Sequence, residues 1–239
     1  MLGVPTGTSA LLFDLDGVLT ETAVVHTRAW KEMFDAYLSQ RAQETGTQFV
    51  PFSDQDYLDF VDGRPRPDGV RSFLSSRGIS LSDAEVAELG DRKNALVLEI
   101  LDRDGVDPFP DAVTYLDAAA TTTLRLAVVS SSANCRRVLE LTGLIDRFEL
   151  IVDGLVVSEL GLRGKPAPDG FLHAAEALGV EPANAAVFED AISGVQAGSA
   201  GAFGTVIGVA RGGPTAQAAL KAAGADKVVT KLTELLEAA

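Results

Sequence analysis

The pattern of apolar and polar positions alternates between short hydrophobic runs and longer stretches with helical spacing. The hydrophobic runs are typical of strands buried on both faces of a parallel sheet, and they are Ala10–Phe13, Leu124–Val129, Ala185–Phe188, Thr205–Val209 and Lys227–Val229. The helical patterns lie between them, at Asp111–Thr121, Ala133–Thr142, Pro168–Leu178, Ala191–Ala200 and Thr215–Ala223, with a final helix in the Ala-rich C-terminal tail. This alternation predicts an α/β fold built on a doubly wound, Rossmann-like parallel sheet.

Residues 21–105 interrupt that alternation. The segment has no convincing strand pattern, but helical patterns occur near Ala23–Arg41, Ser53–Phe60, Pro67–Arg77 and Ser82–Arg103. The last of these opens on Ser82-Asp83-Ala84-Glu85, which has the form of a capping box. We therefore expect two domains: a core of residues 1–20 and 106–239, and a small helical domain of residues 21–105 inserted after the first strand.

The charge balance excludes some classes of partner. The 239 residues include 20 Lys and Arg against 34 Asp and Glu, a net charge of −14. Such a surface repels nucleic-acid backbones and anionic membranes, so neither is expected as a partner. A small anion remains a reasonable substrate, provided that local cations override the overall field.

Cysteine usage and hydropathy bear on the compartment. Cys135 is the only cysteine, which excludes a disulfide framework and favours a reducing cytoplasm. No secretory signal is recognisable near residue 1, and no run of 18 apolar residues occurs. A cytoplasmic monomer is expected.

Two carboxylates follow the first predicted strand. Asp14 and Asp16 are separated by one residue, so their side chains project to the same side of an extended segment. Ligands of open α/β sheets bind at the carboxyl ends of the strands. Two acids in such a place repel each other unless a cation or a proton lies between them, and oxygen ligands suit Mg²⁺. The ordinary alternative is a solvated Asp-x-Asp-Gly turn.

Three further polar segments follow later elements. Ser130–Asn134 places small hydroxyls at a helix start, which is either an anion site or a common N-cap. Lys165 precedes a proline-marked helix start and offers a point cation for a phosphate, or is a surface lysine. Glu189 and Asp190 end another apolar strand, where they complement a helix dipole or complete a cage for a hard cation.

The order of these segments resembles the four motifs of the haloacid dehalogenase superfamily: Asp14-Leu15-Asp16-Gly17-Val18, Ser130, Lys165-Pro166 and Glu189-Asp190. The resemblance implies that the helical insertion is a cap domain. It also implies that Asp14 is a nucleophile that forms an aspartyl-phosphate, and that Asp16 is a general acid and base. Ser130 and Lys165 would hold the phosphoryl oxygens. Mg²⁺ would be bound by Asp14, the Asp16 backbone carbonyl, Glu189 and Asp190.

A closer likeness is to the β-phosphoglucomutase-like branch. His26 with Arg28-Ala29-Trp30-Lys31 resembles the start of its cap, and Arg92-Lys93-Asn94 resembles a cap element whose lysine hydrogen-bonds the cap histidine. Val61-Asp62-Gly63-Arg64-Pro65-Arg66 lies where that branch has a glycine and a phosphate-binding arginine; Arg66 fits the spacing and Arg64 is the alternative. The implied substrate-binding residues are Thr22, His26, Trp30, Gly63, Arg66, Lys93, Ser131, Ser132 and Asn134.

Two features depart from that branch. Ala133 stands where the mutase carries a lysine that helps to hold the far phosphate, and extra residues lie around Thr45–Pro51. Some residues also have ordinary interpretations: His26 as a packing residue, and Trp30 as part of a core. We assign no chemistry to the glycine-rich Gly208–Gly213 segment.

The resemblance implies a Mg²⁺-dependent sugar phosphomutase that interconverts β-D-glucose 1-phosphate and glucose 6-phosphate through a bisphosphate. Ala133 keeps open the alternative of a phosphatase for a small phosphorylated sugar. A third possibility is a sugar-phosphate sensor without catalysis. The acids from Asp14 to Asp190 argue against a sensor, because a binding protein needs no nucleophile.

Overall fold

The computed structural model describes residues 2–237. Two compact units can be distinguished in it. The first, here called the sheet unit, consists of the residues up to Glu21 together with those from Val106 onward. The second, the helical unit, is Thr22–Gly105.

The sheet unit is built on six parallel strands: β1 (Ala10–Phe13), β2 (Arg125–Val129), β3 (Leu150–Val152), β4 (Ala185–Glu189), β5 (Thr205–Val209) and β6 (Lys227–Val229). Their order is β3-β2-β1-β4-β5-β6. The central strand β1 pairs with β2 on one side and β4 on the other, so that Phe13 lies opposite Val128 and Phe188. The strand order reverses between β1 and β4, and in open α/β sheets ligands bind at the carboxyl ends of strands at such a point.

The helices of the sheet unit are α5 (Pro110–Ala119), α6 (Cys135–Leu141), α7 (Gly154–Glu159), α8 (Asp169–Ala177), α9 (Ile192–Ala200), α10 (Pro214–Ala223) and α11 (Glu234–Glu237). Short 3-10 turns occur at Ile145–Arg147 and Pro182–Asn184. One core cluster joins the sheet to α8 and α9 through Leu12, Val129, Phe171, Val187 and Val195. The doubly wound α/β class predicted from the sequence is confirmed.

Some local predictions for the sheet unit were incomplete. Neither β3 nor α7 was predicted. The apolar run of β3, Leu150-Ile151-Val152, is only three residues long and stands between acidic neighbours. The helix predicted from Ala133 begins at Cys135 instead. The predicted C-terminal helix is limited to Glu234–Glu237, and the last two alanines lie outside the described residues.

The helical unit consists of α1 (Thr22–Thr45), α2 (Asp54–Asp56) continued by a π-helical turn at Tyr57–Val61, α3 (Arg66–Ser76) and α4 (Asp83–Asp104). The predicted capping box is confirmed: Glu85 N–H donates to Ser82 Oγ, and Ser82 N–H donates to Glu85 Oε2. An aromatic cluster fills the core of the unit, with Phe34, Phe52 and Phe73 in mutual contact.

Within residues 2–237, the structure contains no helix with the length and apolar character needed to cross a bilayer.

Candidate active site

Asp14, Lys165 and Glu189 form a buried cluster at the carboxyl ends of β1 and β4. Asp14 directly follows β1, and its backbone N–H donates to the carbonyl of Phe188 at 2.9 Å. Lys165 Nζ lies 2.5 Å from Asp14 Oδ1 and 2.5 Å from Glu189 Oε1, and also donates to the carbonyl of Val129 at 3.0 Å. The lysine therefore links the ends of three neighbouring strands.

The charges of this cluster control one another. Burial acts to lower the pKa of Lys165, but the Asp14 and Glu189 carboxylates outweigh it, and the pKa lies above its ordinary value. Burial raises the pKa of Glu189 to about 7; Lys165 opposes the shift and the nearby Asp14 adds to it. Lys165 thus remains charged, and its single positive charge is shared by two buried carboxylates.

A third carboxylate completes a possible metal site. One oxygen each of Asp14, Glu189 and Asp190 lie within 4.8 Å of one another. Two glycines leave space for these carboxylates. A Cβ on Gly17 would stand 1.8 Å from Asp190 Oδ2, and one on Gly194 would stand 1.9 Å from Glu189 Oε1. An all-oxygen, anionic donor set suits a hard cation such as Mg²⁺.

Asp16 lies in the turn that follows Asp14. It forms a bridge with Thr20, and Gly17, at φ +81°, donates its N–H to the carbonyl of Thr20 at 2.8 Å. Glycine is required there, because the positive φ and the proximity of Asp190 both disfavour a side chain. The cluster of three carboxylates described above is formed by Asp14, Glu189 and Asp190 and does not include the side chain of Asp16.

The Ser130–Asn134 loop follows β2 and leads into α6. Ser130 is buried, and its Oγ accepts from Ser132 N–H at 3.0 Å, while Ser132 Oγ accepts from Asn134 N–H at 3.2 Å. Gly154 packs against this loop so closely that a Cβ would stand 2.6 Å from the carbonyl of Ser131. The loop is therefore fixed by its own hydroxyls and by its neighbour.

In the helical unit, His26 and Lys93 are in direct contact. Lys93 Nζ lies 2.7 Å from His26 Nδ1 and 5.0 Å from the centroid of the Trp30 ring. Burial, followed by the charges of Lys93 and Arg66, holds the pKa of His26 well below 6.5. His26 is therefore a neutral imidazole whose Nδ1 accepts a hydrogen bond from the ammonium.

The other residues predicted in the helical unit have varied surroundings. Trp30 is buried and stacks on Phe34 with ring centroids 5.2 Å apart, which is core packing. Arg66 Nη1 donates to the carbonyl of Gly90 at 3.0 Å and lies 3.5 Å from Asp91 Oδ1. Thr22 is fully buried, and Gly63 has φ +67° in the turn before α3.

Comparison with known protein families assigns the chain to a family. The sequence model of the haloacid dehalogenase-like hydrolases matches residues 8–201. The chain belongs to this family. The resemblance found in its motifs is thereby confirmed.

Within the haloacid dehalogenase-like family, the chain is similar to several proteins named β-phosphoglucomutase. The chain is 55% identical to β-phosphoglucomutase of Mycobacterium tuberculosis, over 99% of this chain and 94% of that protein. It is 34% identical to β-phosphoglucomutase of Bacillus subtilis, over 95% and 91%. The crystal structure of β-phosphoglucomutase from Clostridium difficile has a TM-score of 0.77 at 26% identity, covering 95% of this chain and 93% of that one. The chain is thus an enzyme of the phosphotransferase or isomerase kind.

One well-connected residue of this haloacid dehalogenase-like enzyme was missed by sequence reasoning. Arg211 lies in the glycine-rich segment after β5, and its guanidinium donates to the carbonyls of Gly17 and Val18. Gly17 and Val18 lie more than 190 residues away from Arg211 along the chain, so no local pattern indicates these contacts.

Proposed function

We propose that the chain is a Mg²⁺-dependent sugar phosphomutase that interconverts β-D-glucose 1-phosphate and glucose 6-phosphate through a bisphosphate. The observation that carries the proposal is the cluster around Asp14, where Lys165 lies 2.5 Å from one carboxylate oxygen and two further acids stand beside it. The names of the mycobacterial and Bacillus relatives support the choice of reaction.

In this proposal Asp14 is the nucleophile. Its carboxylate oxygen attacks phosphorus, a new O–P bond forms, and the bond from phosphorus to the leaving oxygen breaks. Lys165 and Ser130 bind the transferring phosphoryl oxygens. The lysine also orients Asp14, since its ammonium contacts Oδ1 and the carbonyl of Val129.

Asp16 is the proposed general acid and base. It gives a proton to the leaving sugar oxygen in the first transfer and takes one from the accepting hydroxyl in the second. Its turn is fixed by the bridge to Thr20 and by the Gly17 hydrogen bond. Asp14 is assigned the other role because Lys165 holds it in the buried cluster, with Nζ 2.5 Å from Asp14 Oδ1.

Asp14, Glu189, Asp190 and the Asp16 carbonyl would hold Mg²⁺. When bound, the ion screens the repulsion between the Asp14 carboxylate and an anionic phosphate and stabilises the charge of the transferring group. Without a metal ion, three carboxylates lie close together and Lys165 contacts two of them, Asp14 and Glu189. This excess of negative charge is the electrostatic reason to propose a metal here.

Recognition of the sugar and of the far phosphate is assigned to two sets of residues. The loop set is Ser131, Ser132 and Asn134, and the set from the helical unit is Thr22, His26, Trp30, Gly63, Arg66 and Lys93. Within the second set, Trp30 contributes mainly by packing, because it is buried among aromatic residues. We propose that this unit acts as a cap that excludes water, which favours a sugar hydroxyl over water as the acceptor.

A second candidate is a phosphatase for a small phosphorylated sugar. It is favoured by Ala133, since alanine offers no cation to hold a second phosphate at that point of the loop. The first transfer to Asp14 is the same in both proposals. Only the acceptor in the second step differs.

A coupled assay distinguishes the two. The enzyme is given β-D-glucose 1-phosphate, Mg²⁺ and a trace of the glucose 1,6-bisphosphate, and both glucose 6-phosphate and free phosphate are measured in each sample. The mutase proposal predicts glucose 6-phosphate as the main product, and no turnover in the presence of a Mg²⁺ chelator. Free phosphate without isomerisation would replace the mutase proposal by the phosphatase.

A further inference from the structure

Arg211 contacts three parts of the sheet unit with one guanidinium group. Nε donates to the carbonyl of Gly17 at 2.8 Å, and Nη2 donates to that of Val18 at 2.9 Å. Nη1 and Nη2 also bind the two oxygens of Asp111 at 3.1 and 3.2 Å. The Cζ atom lies 3.6 Å from the centroid of the Phe109 ring.

These contacts join the two segments that connect the sheet unit to the inserted residues. The segment that follows Asp16 is paired with the segment that precedes α5: Phe109 N–H donates to the carbonyl of Leu19 at 2.9 Å, and Thr20 forms an antiparallel bridge with Pro108. The guanidinium lies beside this pair and binds both of its segments.

A planar guanidinium is suited to this position. It holds Asp111 through a two-pronged ion pair while its remaining donors reach two carbonyls, which a lysine ammonium cannot reproduce. Asp111 is fixed in turn, because its Oδ2 accepts the N–H of Leu232 at 2.7 Å. The side chains of Arg211 and Asp111 are 21% and 13% exposed, so the pair is largely shielded from water.

We propose that Arg211 is a positioning residue for phosphoryl transfer. By binding the carbonyls of Gly17 and Val18, it fixes the turn in which Asp14 and Asp16 stand one residue apart. It acts through this turn and not by touching the substrate. The inference rests on the proposed function, because the turn matters to catalysis only if Asp14 and Asp16 are the reacting acids.

The test compares Arg211→Gln with Arg147→Gln, which removes a surface ion pair with Asp117 in the same unit. Arg211→Gln is expected to lower kcat about 10- to 100-fold, because small misplacement of reacting groups has effects of that size. KM for the sugar phosphate should change less than about twofold, since a residue that acts only on the reacting acids leaves substrate binding intact. Arg211→Lys should recover only part of kcat, and Arg147→Gln should leave both constants unchanged.

Hydrogen exchange gives a readout that does not depend on turnover. In Arg211→Gln, the peptide covering residues 14–20 should exchange at least about tenfold faster than in the parent protein, as expected for local opening. The same peptide should be unchanged in Arg147→Gln. If Arg211→Gln does not fold, the kinetic and hydrogen-exchange measurements are made on Arg211→Lys instead.

The possible outcomes separate the inference from the proposed function. Unchanged exchange in the 14–20 peptide, or faster exchange with unchanged kcat, would overturn the inference. A rise in KM with kcat preserved would also overturn it, because that result indicates a substrate contact. If the parent enzyme acts on no sugar phosphate, the proposed function fails, and the exchange measurement still decides whether Arg211 holds the turn.

Discussion

Each of the two units buries a lysine, and the two lysines are held in different ways. In the sheet unit, Lys165 lies between the carboxylates of Asp14 and Glu189. In the helical unit, Lys93 contacts the neutral imidazole of His26 and the face of the Trp30 ring. Opposite charge stabilises the ammonium of Lys165, whereas the ammonium of Lys93 has a neutral imidazole among its neighbours. The first arrangement agrees with the proposed role of Lys165 in phosphoryl transfer, and the second agrees with the proposed role of Lys93 in a cap.

The largest expected effect comes from removing Asp14, the proposed nucleophile in the sheet unit. Asp14→Asn should reduce turnover by at least about 10⁴-fold, because an amide cannot accept the phosphoryl group and loss of a covalent nucleophile has effects of that order. The coupled assay measures it. Asp117→Asn, which removes a surface carboxylate paired with Arg147, is the control and should keep full activity. Persistent turnover in Asp14→Asn would refute the covalent scheme.

The two lysines can be compared by the same substitution. Lys165→Met should lower kcat about 10²- to 10³-fold, as for loss of a preorganised charge at the reacting group. It should also destabilise the fold by about 3 kcal/mol, because two buried carboxylates lose their partner. Lys93→Met should have a smaller effect, about tenfold, expressed mainly in KM. Steady-state kinetics and denaturant unfolding measure both, and equal losses of kcat in the two variants would contradict the comparison.

A substitution at Gly17 can remove the space that the Asp190 side chain occupies. In Gly17→Ala the new methyl group would collide with Asp190, so the half-saturating Mg²⁺ concentration should rise at least about tenfold, in line with displaced metal ligands. Gly143→Ala is a matched control: its φ is +67°, but no atom lies within 4 Å of the added methyl group. Both variants should lose about 1–2 kcal/mol of stability from the backbone conformation. The metal site is contradicted if Mg²⁺ activation is the same in the two variants.

The smallest expected effect concerns the metal-free protein, in which the stability of each unit should change with pH. The two units should respond in opposite directions. Glu189 has a folded pKa of about 7 against an ordinary 4.5, so the folded sheet unit binds the extra proton and loses stability as the pH rises through that window. His26 has a lowered pKa, so the unfolded helical unit binds the extra proton and stability is lost as the pH falls below 6.5.

Hydrogen exchange between pH 5 and 8 measures the two units separately. Protection of β1 and β4 should fall with rising pH, and protection of α1 and α4 should fall with falling pH. Glu189→Gln and His26→Gln should each flatten only the slope of their own unit. Parallel slopes in both units would show that other groups dominate.

Much of the sheet unit could be predicted because its signals are local. Apolar runs such as Ala185–Phe188 identify strands, and acids or hydroxyls directly after them identify the site edge, since parallel strands end on the same side. The strand β3 was missed because three apolar residues do not distinguish a strand from a helical turn. The helical unit shows the same limit: the helix pattern locates α1 and α4 but not the hydrogen bond between His26 and Lys93, which came from the family resemblance.

Long-range contacts were beyond sequence reasoning. Arg211 stands among glycines, and its ion pair with Asp111 spans 100 residues. The spacing of the carboxylates likewise depends on Gly17 and Gly194, whose missing side chains leave space for Asp190 and Glu189. A sequence shows that a residue is glycine, but only the packed structure shows what would occupy the place of its side chain.

The most direct test of the covalent scheme is to locate the phosphoryl group on the enzyme during turnover. Enzyme mixed with β-D-glucose 1-phosphate and Mg²⁺ is quenched in acid, the acyl phosphate is reduced with borohydride, and the peptides are sequenced by mass spectrometry. Homoserine is expected at position 14, because reduction of an aspartyl-phosphate gives that residue, and none is expected in Asp14→Asn. Turnover with unmodified Asp14, or with the modification at another carboxylate, would contradict it.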